Sequence, residues 1–146
     1  MNVFMKTGNF LMKVLLGSPL HGILSKNTLL ISFTGRKTGR TYTTPVNYSQ
    51  DENTIWITSN RDRVWWRNLV GGASVTLRLM GKKFRGQTEV FKDEKSVAQG
   101  LLAFLKPKPD YAKYFDIDLD DSGLLKAGDV LKAAARRVVI KISLLI

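Results

Sequence analysis

Between Thr34 and Thr41 the chain reads Gly35-Arg36-Lys37-Thr38-Gly39-Arg40, which places three cations and one hydroxyl within six residues. The bracketing glycines allow positive φ and close approach of backbone to a ligand. Arginine offers a planar fork to a phosphate, lysine a compact charge, and successive N–H groups in a turn make a concave anion nest. The chemistry implied is the gripping of an anion. The spacing fits neither the G-x-x-x-x-G-K-S/T of a P-loop nor the G-x-G-x-x-G of a dinucleotide fold. A plain basic hairpin would have the same composition, so the reading leans on a second constellation.

That constellation is Ser59-Asn60-Arg61-Asp62-Arg63-Val64-Trp65-Trp66-Arg67-Asn68-Leu69. An apolar wall beside hydroxyl, amide and guanidinium groups suits a planar heteroaromatic ligand. Consecutive helical residues point about 100° apart, so the spacing predicts that Trp65 and Trp66 do not enter one core. One of them should face a cleft or a partner.

Other chemistry is excluded by what the chain lacks. It has no cysteine, and its single histidine is His21, so disulfides, thiol nucleophiles, zinc fingers, iron–sulfur clusters and a His-based triad within one chain are all out of reach. Asp116, Asp118, Asp120 and Asp121 resemble the start of a calcium loop, but the position that needs a bidentate glutamate holds Ala127. No metal site is expected. With 23 Lys+Arg against 12 Asp+Glu in 146 residues, a net charge of +11 favours anionic partners.

The elements that must position these groups follow from hydrophobic period. A chain of this length forms one domain, here taken as 1–146, and buries roughly two thirds of its unfolded surface. Thr28 to Thr34 alternates Leu29, Ile31 and Phe33, a strand pattern. Thr41 to Ser49 resumes as a strand in which Pro45 leaves a gap in the ladder, so it should be an edge, bulged, or next to a ligand. Asp51-Glu52-Asn53 reads as a turn into the strand TIWITS. Asp62 is the expected N-cap of a short helix over Val64 to Val70, ended by Gly71 and Gly72. Ser74 to Leu79 and Lys83 to Phe91 form a further hairpin around Gly81. Asp93 caps a helix that buries Val97, Leu101, Phe104 and Leu105 and stops at Pro107 and Pro109. A second helix is expected over Leu124 to Ala135. RRVVIKISLLI then returns to the sheet, giving a barrel core over 28–92, helices over 93–135 and a closing strand over 137–145. The fold class is mainly β with helical additions, a small antiparallel barrel of six or seven strands.

At the N-terminus Phe4, Leu11, Val14 and Leu15 share a helix face, with Lys6 and Lys13 on another. An amphipathic helix over 1–17 is expected, packed on its own domain or, through residues 1–16, against a membrane surface. No apolar run is long enough to span a bilayer, and no secretory cleavage site is present.

Taken in order, GRKTGRTYTTPVNY, ITSNRDRVWWRNL and GGASVTLRL resemble the deazaflavin-dependent nitroreductase family, a group of split-barrel proteins related to the FMN-binding, pyridoxamine-phosphate-oxidase-like barrels. The likeness is strongest over Thr28 to Phe91. It implies a split antiparallel β-barrel and a cytoplasmic oxidoreductase that passes hydride from reduced coenzyme F420 to a quinone, nitroaromatic or other unsaturated acceptor. It also implies that Arg36, Lys37, Thr38, Gly39 and the neighbouring Arg40 hold the cofactor phosphate. Pro45 and Val46 would line the deazaflavin ring, Ser59 and Asn60 would touch its polar edge or tail, and Trp65 with Asn68 would wall the pocket. The family chemistry suits the inventory, since hydride transfer needs neither a protein nucleophile nor a metal.

FMN is the alternative cofactor, because only six positions separate Ser59 from Trp65 and Tyr42 follows the glycine turn where relatives often carry a base. The catalytic residue is left unassigned. Tyr42 and Tyr48 share one face of a strand and are candidate proton donors, as are Tyr111 and Tyr114. A homodimer is compatible with this reading. The rival from another class is a non-catalytic basic barrel binding nucleic acid through Arg78, Lys82, Lys83 and Arg85, which the sequence favours less.

Overall fold

A computed structural model describes residues 27–145. The helix expected over 1–17 and His21 therefore lie outside the described residues. Six strands, β1 (Thr28–Thr34), β2 (Thr41–Asp51), β3 (Thr54–Asn60), β4 (Ser74–Leu79), β5 (Lys82–Phe91) and β6 (Arg137–Leu145), close into an antiparallel barrel in the order β1-β2-β3-β6-β5-β4. The helices are α1 (Glu94–Leu105) and α2 (Ala127–Arg136), with 3₁₀ segments at Trp65–Leu69 and Pro109–Phe115.

Alternation decides which side chains enter the barrel. Leu29, Ile31, Ile55, Ile57, Leu77, Val138, Ile140 and Ile142 fill it, and the residues between them point outward. Where β5 meets β6 only glycine fits: a Cβ on Gly86 would lie 2.5 Å from Ile142 Cγ2. A second apolar cluster, including Val97, Leu101, Phe104, Ala133 and Val139, packs α1 and α2 onto the outside of the sheet. Asp93 caps α1 as its position suggested, accepting from the Ser96 N–H at 2.9 Å. That bond holds its carboxyl below the usual carboxylate range.

The barrel is split at one seam. β2 pairs with β1 from Thr41 to Asn47, but with β3 only from Tyr48 to Asp51. Beyond Ile57, β3 keeps only its pairing with β6, which runs from Thr54 to Asn60. Pro45 sits on the parted stretch of β2, where its missing N–H costs no ladder bond, so the irregular strand is the one beside an opening.

Three local expectations need correction. Asp62 is not an N-cap: the 3₁₀ helix starts after Val64 with no side-chain cap, because the chain turns earlier, through the Arg63 N–H to the Asn60 carbonyl at 3.2 Å. Trp65 and Trp66 do enter the same core, at 4% and 5% exposure. Their short segment lies across the barrel end, so diverging side chains still meet one apolar interior. The second helix begins at Ala127 rather than Leu124, because Asp120 Oδ1 accepts from the N–H groups of Ser122 and Leu124, and Leu125 bridges back to Leu119.

Candidate functional site

The parting of β2 from β3 opens a cleft of about 580 Å³. Thr44, Pro45, Val46 and Asn47 form one wall, and Thr58, Ser59 and Asn60 the other. Trp65 closes its floor, while Phe104, Tyr111, Tyr114 and Phe115 roof it from α1 and the second 3₁₀ segment. Trp65 is locked in place by its indole N–H, which donates to Ser59 Oγ at 3.0 Å. Ser59 Oγ in turn donates to the Asn60 carbonyl at 3.1 Å.

On the other side of Trp65 lies a second concavity of about 400 Å³, lined by Phe33, Tyr42, Val64 and Trp65 on its apolar side and by Arg36, Lys37, Thr38, Arg67 and Asn68 on its polar side. The basic bend is a closed turn. The Gly35 N–H donates to the Arg40 carbonyl and the Gly39 N–H to the Gly35 carbonyl, both at 2.8 Å. Asn68 ties it to the tryptophan helix: its Oδ1 accepts from the Arg36 N–H at 3.0 Å and its Nδ2 donates to the Trp65 carbonyl at 3.0 Å. Thr38 Oγ1 and the Tyr42 hydroxyl are 2.9 Å apart. The Lys37 and Thr38 N–H groups have no partner among the described residues, and the Arg36 and Lys37 side chains are exposed.

Gly35 is required by packing. A Cβ there would lie 2.5 Å from Tyr42 Cε2 and 2.9 Å from Thr38 Oγ1. Gly35→Ala is expected to break the Thr38–Tyr42 contact and destabilise the fold by about 1–3 kcal/mol, read as a lowered thermal midpoint.

The sequence-proposed residues thus fall into two adjoining sites joined at Trp65. Pro45, Val46, Ser59 and Asn60 line the seam, and Arg36, Lys37, Thr38 and Asn68 line the neighbouring concavity. Gly39 and Arg40 lie on the bend but line neither. Tyr42 belongs to the second concavity, and Tyr48 is buried at 6% exposure with its phenol pushed above the ordinary value by burial. Tyr111 and Tyr114 are the tyrosines at the cleft, their rings packed edge to face at 5.3 Å. Arg63 and Arg137 also line it. Arg63 belongs to the Ser59–Leu69 constellation, whereas Arg137 carries no local signal: only the pairing of β6 with β3 places it opposite Asn60.

The charge is one-sided. Arg63 and Arg137 border the cleft, Arg36, Lys37 and Arg67 border its neighbour, and no Asp or Glu lines either among the described residues. Arg137 stacks 4.4 Å from the Phe115 ring centre. Burial, and then Arg136, lower its pKa against the pull of Asp116, yet a guanidinium stays charged at any working pH.

Lys108 holds the roof down. Its ammonium donates to the Tyr48 carbonyl and lies 5.2, 5.9 and 5.0 Å from the ring centres of Tyr48, Phe104 and Tyr111. Burial pushes its pKa down, opposed by Asp110. A base with a folded pKa below its unfolded one binds fewer protons when folded, so its contribution to stability rises with pH between those two values. Wild type is therefore expected to gain stability relative to Lys108→Met as pH approaches the ordinary lysine range, as measured by denaturant titration at stepped pH.

These features fit a ligand with a flat ring and an anionic arm. The seam offers an aromatic floor and polar edges, and the bend offers cations and N–H groups that have no partner among the described residues.

Known proteins share this architecture. A solved structure described as a domain-swapped dimer superposes with a TM-score of 0.54 at 15% identity, covering 92% of this chain and 93% of that one. A candidate pyridoxamine 5'-phosphate oxidase from Listeria innocua gives 0.52 at 13%, covering 88% and 93%. An FAD and heme binding protein from Mycobacterium smegmatis gives 0.53 at 12%, covering 86% and 65%. At such identities the likeness concerns the fold, a split barrel as the motifs implied. No curated protein sequence is significantly similar to this one. The profile of the F420H(2)-dependent quinone reductase family matches residues 12–117, a span that holds both concavities except for Arg137. The protein is thus an oxidoreductase with coenzyme F420 as its cofactor, and the chain belongs to the F420H(2)-dependent quinone reductase family.

Proposed function

We propose that the seam between β2 and β3 seats the deazaflavin ring, that the Gly35–Arg40 bend holds the cofactor phosphate, and that the acceptor is a quinone, a nitroaromatic or another unsaturated ring entering beneath Tyr111 and Tyr114. The observation that carries this is the shared position of Trp65, which floors the ring-sized cleft and borders the cationic concavity. When bound, the cofactor supplies a hydride from carbon.

The chain's own residues do the rest. Arg36 and Lys37 pair with the phosphate, aided by the Lys37 and Thr38 N–H groups, while Gly39 and Arg40 complete the turn. Asn68 acts as a positioning residue, since both ends of its amide are engaged in holding the bend against the Trp65 helix. Pro45 and Val46 present backbone to one edge of the ring, and Ser59 and Asn60 meet its polar side. The roof of Phe104, Tyr111 and Phe115 excludes water, which strengthens electrostatic contacts inside. Tyr111 and Tyr114 line the cleft and are the candidates to hold the proton that the reduced acceptor takes up, a role that Tyr42 and Tyr48 are placed less well to fill.

Titrating the protein with oxidised F420, FMN and FAD, followed by fluorescence quenching, tests this directly. Tight binding of F420 with weak binding of both flavins is expected. Preference for FMN would transfer the same seam to the flavin. A single cytoplasmic domain acting as a homodimer is part of the proposal, to be checked by light scattering. The membrane contact proposed for residues 1–16 falls outside the described residues. Among those residues no helix is long and apolar enough to cross a membrane.

A further inference from the structure

Arg137 lines the cleft from beyond the family's matched span of residues 12–117, and the proposed function gives it no task. Its backbone is fixed where α2 runs directly into β6. The Arg137 N–H donates to the Ala134 carbonyl, its own carbonyl accepts from Arg61 Nη2 at 3.0 Å, and across the ladder it faces Asn60. The side chain is half-buried, with its guanidinium carbon 4.4 Å from the Phe115 ring centre. We infer that Arg137 is a catalytic residue of the reductase: its guanidinium meets a quinone oxygen and stabilises the negative charge that appears there when hydride arrives. The inference rests on the reading of the seam as the place where ring and acceptor meet.

Three observations carry it. First, the donors of Arg137 are largely unspent. A guanidinium has five N–H groups, and among the described residues its side-chain hydrogen bond is one donation to Thr58 Oγ1 at 3.5 Å, the long limit for such a bond. Asp116, the nearby acid, pairs with Arg136 at 3.7 Å instead. A partly desolvated cation without a partner is costly, and an anion in the cleft removes that cost. Second, the surroundings let the charge act. Trp65, Phe104 and Phe115 line the same cleft and no Asp or Glu does so among the described residues, so the field of Arg137 is weakly screened. Arg63, the other cation there, is exposed and answered by water. Third, the reaction supplies the anion. A quinone enters neutral, takes up one hydride as two electrons and one hydrogen nucleus, and becomes a hydroquinone monoanion. One proton, for which Tyr111 and Tyr114 are the candidates in the same cleft, completes the neutral hydroquinone. The charge develops only as hydride moves, so a cation already in position favours the transition state over the bound quinone.

The test uses the full chain saturated with oxidised F420 and two probes of similar shape, followed by titration calorimetry. 2-Hydroxy-1,4-naphthoquinone is an anion at neutral pH, with its charge spread over the quinone oxygens, and stands in for the reduced acceptor; 2-methoxy-1,4-naphthoquinone is neutral. Wild type is expected to bind the anion at least about tenfold more tightly, the worth of one charged hydrogen bond. Arg137→Gln should bind the two alike, and Arg137→Lys should keep part of the preference. With 2-methyl-1,4-naphthoquinone as acceptor, Arg137→Gln should lower kcat by about a hundredfold, with KM and F420 affinity nearly unchanged. Arg137→Met, whose apolar stem still covers Phe115, takes its place if the glutamine variant folds poorly. Equal affinity of wild type for both probes, or a preference that survives in the uncharged variants, would overturn the role while leaving the cofactor site standing. A raised KM or weakened F420 binding with kcat intact would overturn it too, making Arg137 a binding or packing residue. If F420 binds and neither quinone does, the seam is not the acceptor's site and the role falls. Absence of F420 binding by wild type, seen before any quinone is added, defeats the underlying reading and takes the role with it.

Discussion

Replacing both Arg36 and Lys37 by alanine is expected to weaken cofactor binding by two to four orders of magnitude. A hydrogen bond to a charged group contributes about 1.5–3 kcal/mol, and about 1.4 kcal/mol is a factor of ten in affinity. Both side chains are exposed, and the turn is held by backbone bonds and Asn68, so the melting temperature of the ligand-free protein should hardly move. Fluorescence titration at several salt concentrations makes the measurement. The residual affinity of the double variant should also be less sensitive to salt, because fewer protein charges face the ligand. An unchanged dissociation constant would remove the bend from the binding site.

The other large effect concerns Trp65. Truncating a buried tryptophan to alanine costs about 3–5 kcal/mol. Here the loss strikes stability and binding together, since Trp65 belongs to the barrel core and also borders both concavities. Trp65→Ala is expected to melt well below wild type and to lose measurable cofactor binding. Trp65→Phe separates the two contributions. It keeps an aromatic floor packed near Phe33, whose ring centre lies 5.9 Å from that of Trp65, but removes the N–H donated to Ser59. Its stability should fall by about 1 kcal/mol, with binding weakened rather than lost. Denaturant unfolding paired with cofactor titration distinguishes these outcomes. A Trp65→Phe protein that binds as poorly as Trp65→Ala would show that the indole itself, rather than an aromatic surface, is what the ligand needs.

Much of the barrel is legible along the chain because a sheet with one face in a core must alternate. β1 and β4 run over the stretches their apolar alternation indicates, Thr28–Thr34 and Ser74–Leu79. Helix α1 follows from an Asp93 cap and four apolar positions that all become buried. The failures are short segments governed by distant contacts. The Trp65–Leu69 turn is too brief for its period to say which side chains go inward. Asp62 has the chemistry of a cap, but it lies inside the Asn60–Arg63 turn, and the 3₁₀ helix starts beyond it. The 3₁₀ segment at Pro109–Phe115 follows a helix stop, and only packing against α1, with Phe115 edge-on to Phe104, makes it a roof.

What residue order alone determined is the chemistry on offer: a basic glycine-flanked bend, an aromatic pair among polar groups, and an inventory without cysteine that leaves redox work to a cofactor. Pro45 even marks the strand that lies beside the opening. Tertiary structure decided which groups share a space. It parted β2 from β3 to make a cleft, set Trp65 between two concavities, and brought Tyr111, Tyr114 and Arg137 to the same rim. The reason is physical. Period and local hydrogen bonding act over a few residues and are written into neighbouring side chains, whereas barrel closure joins strands far apart in sequence, and its register is settled only when the whole core packs at once.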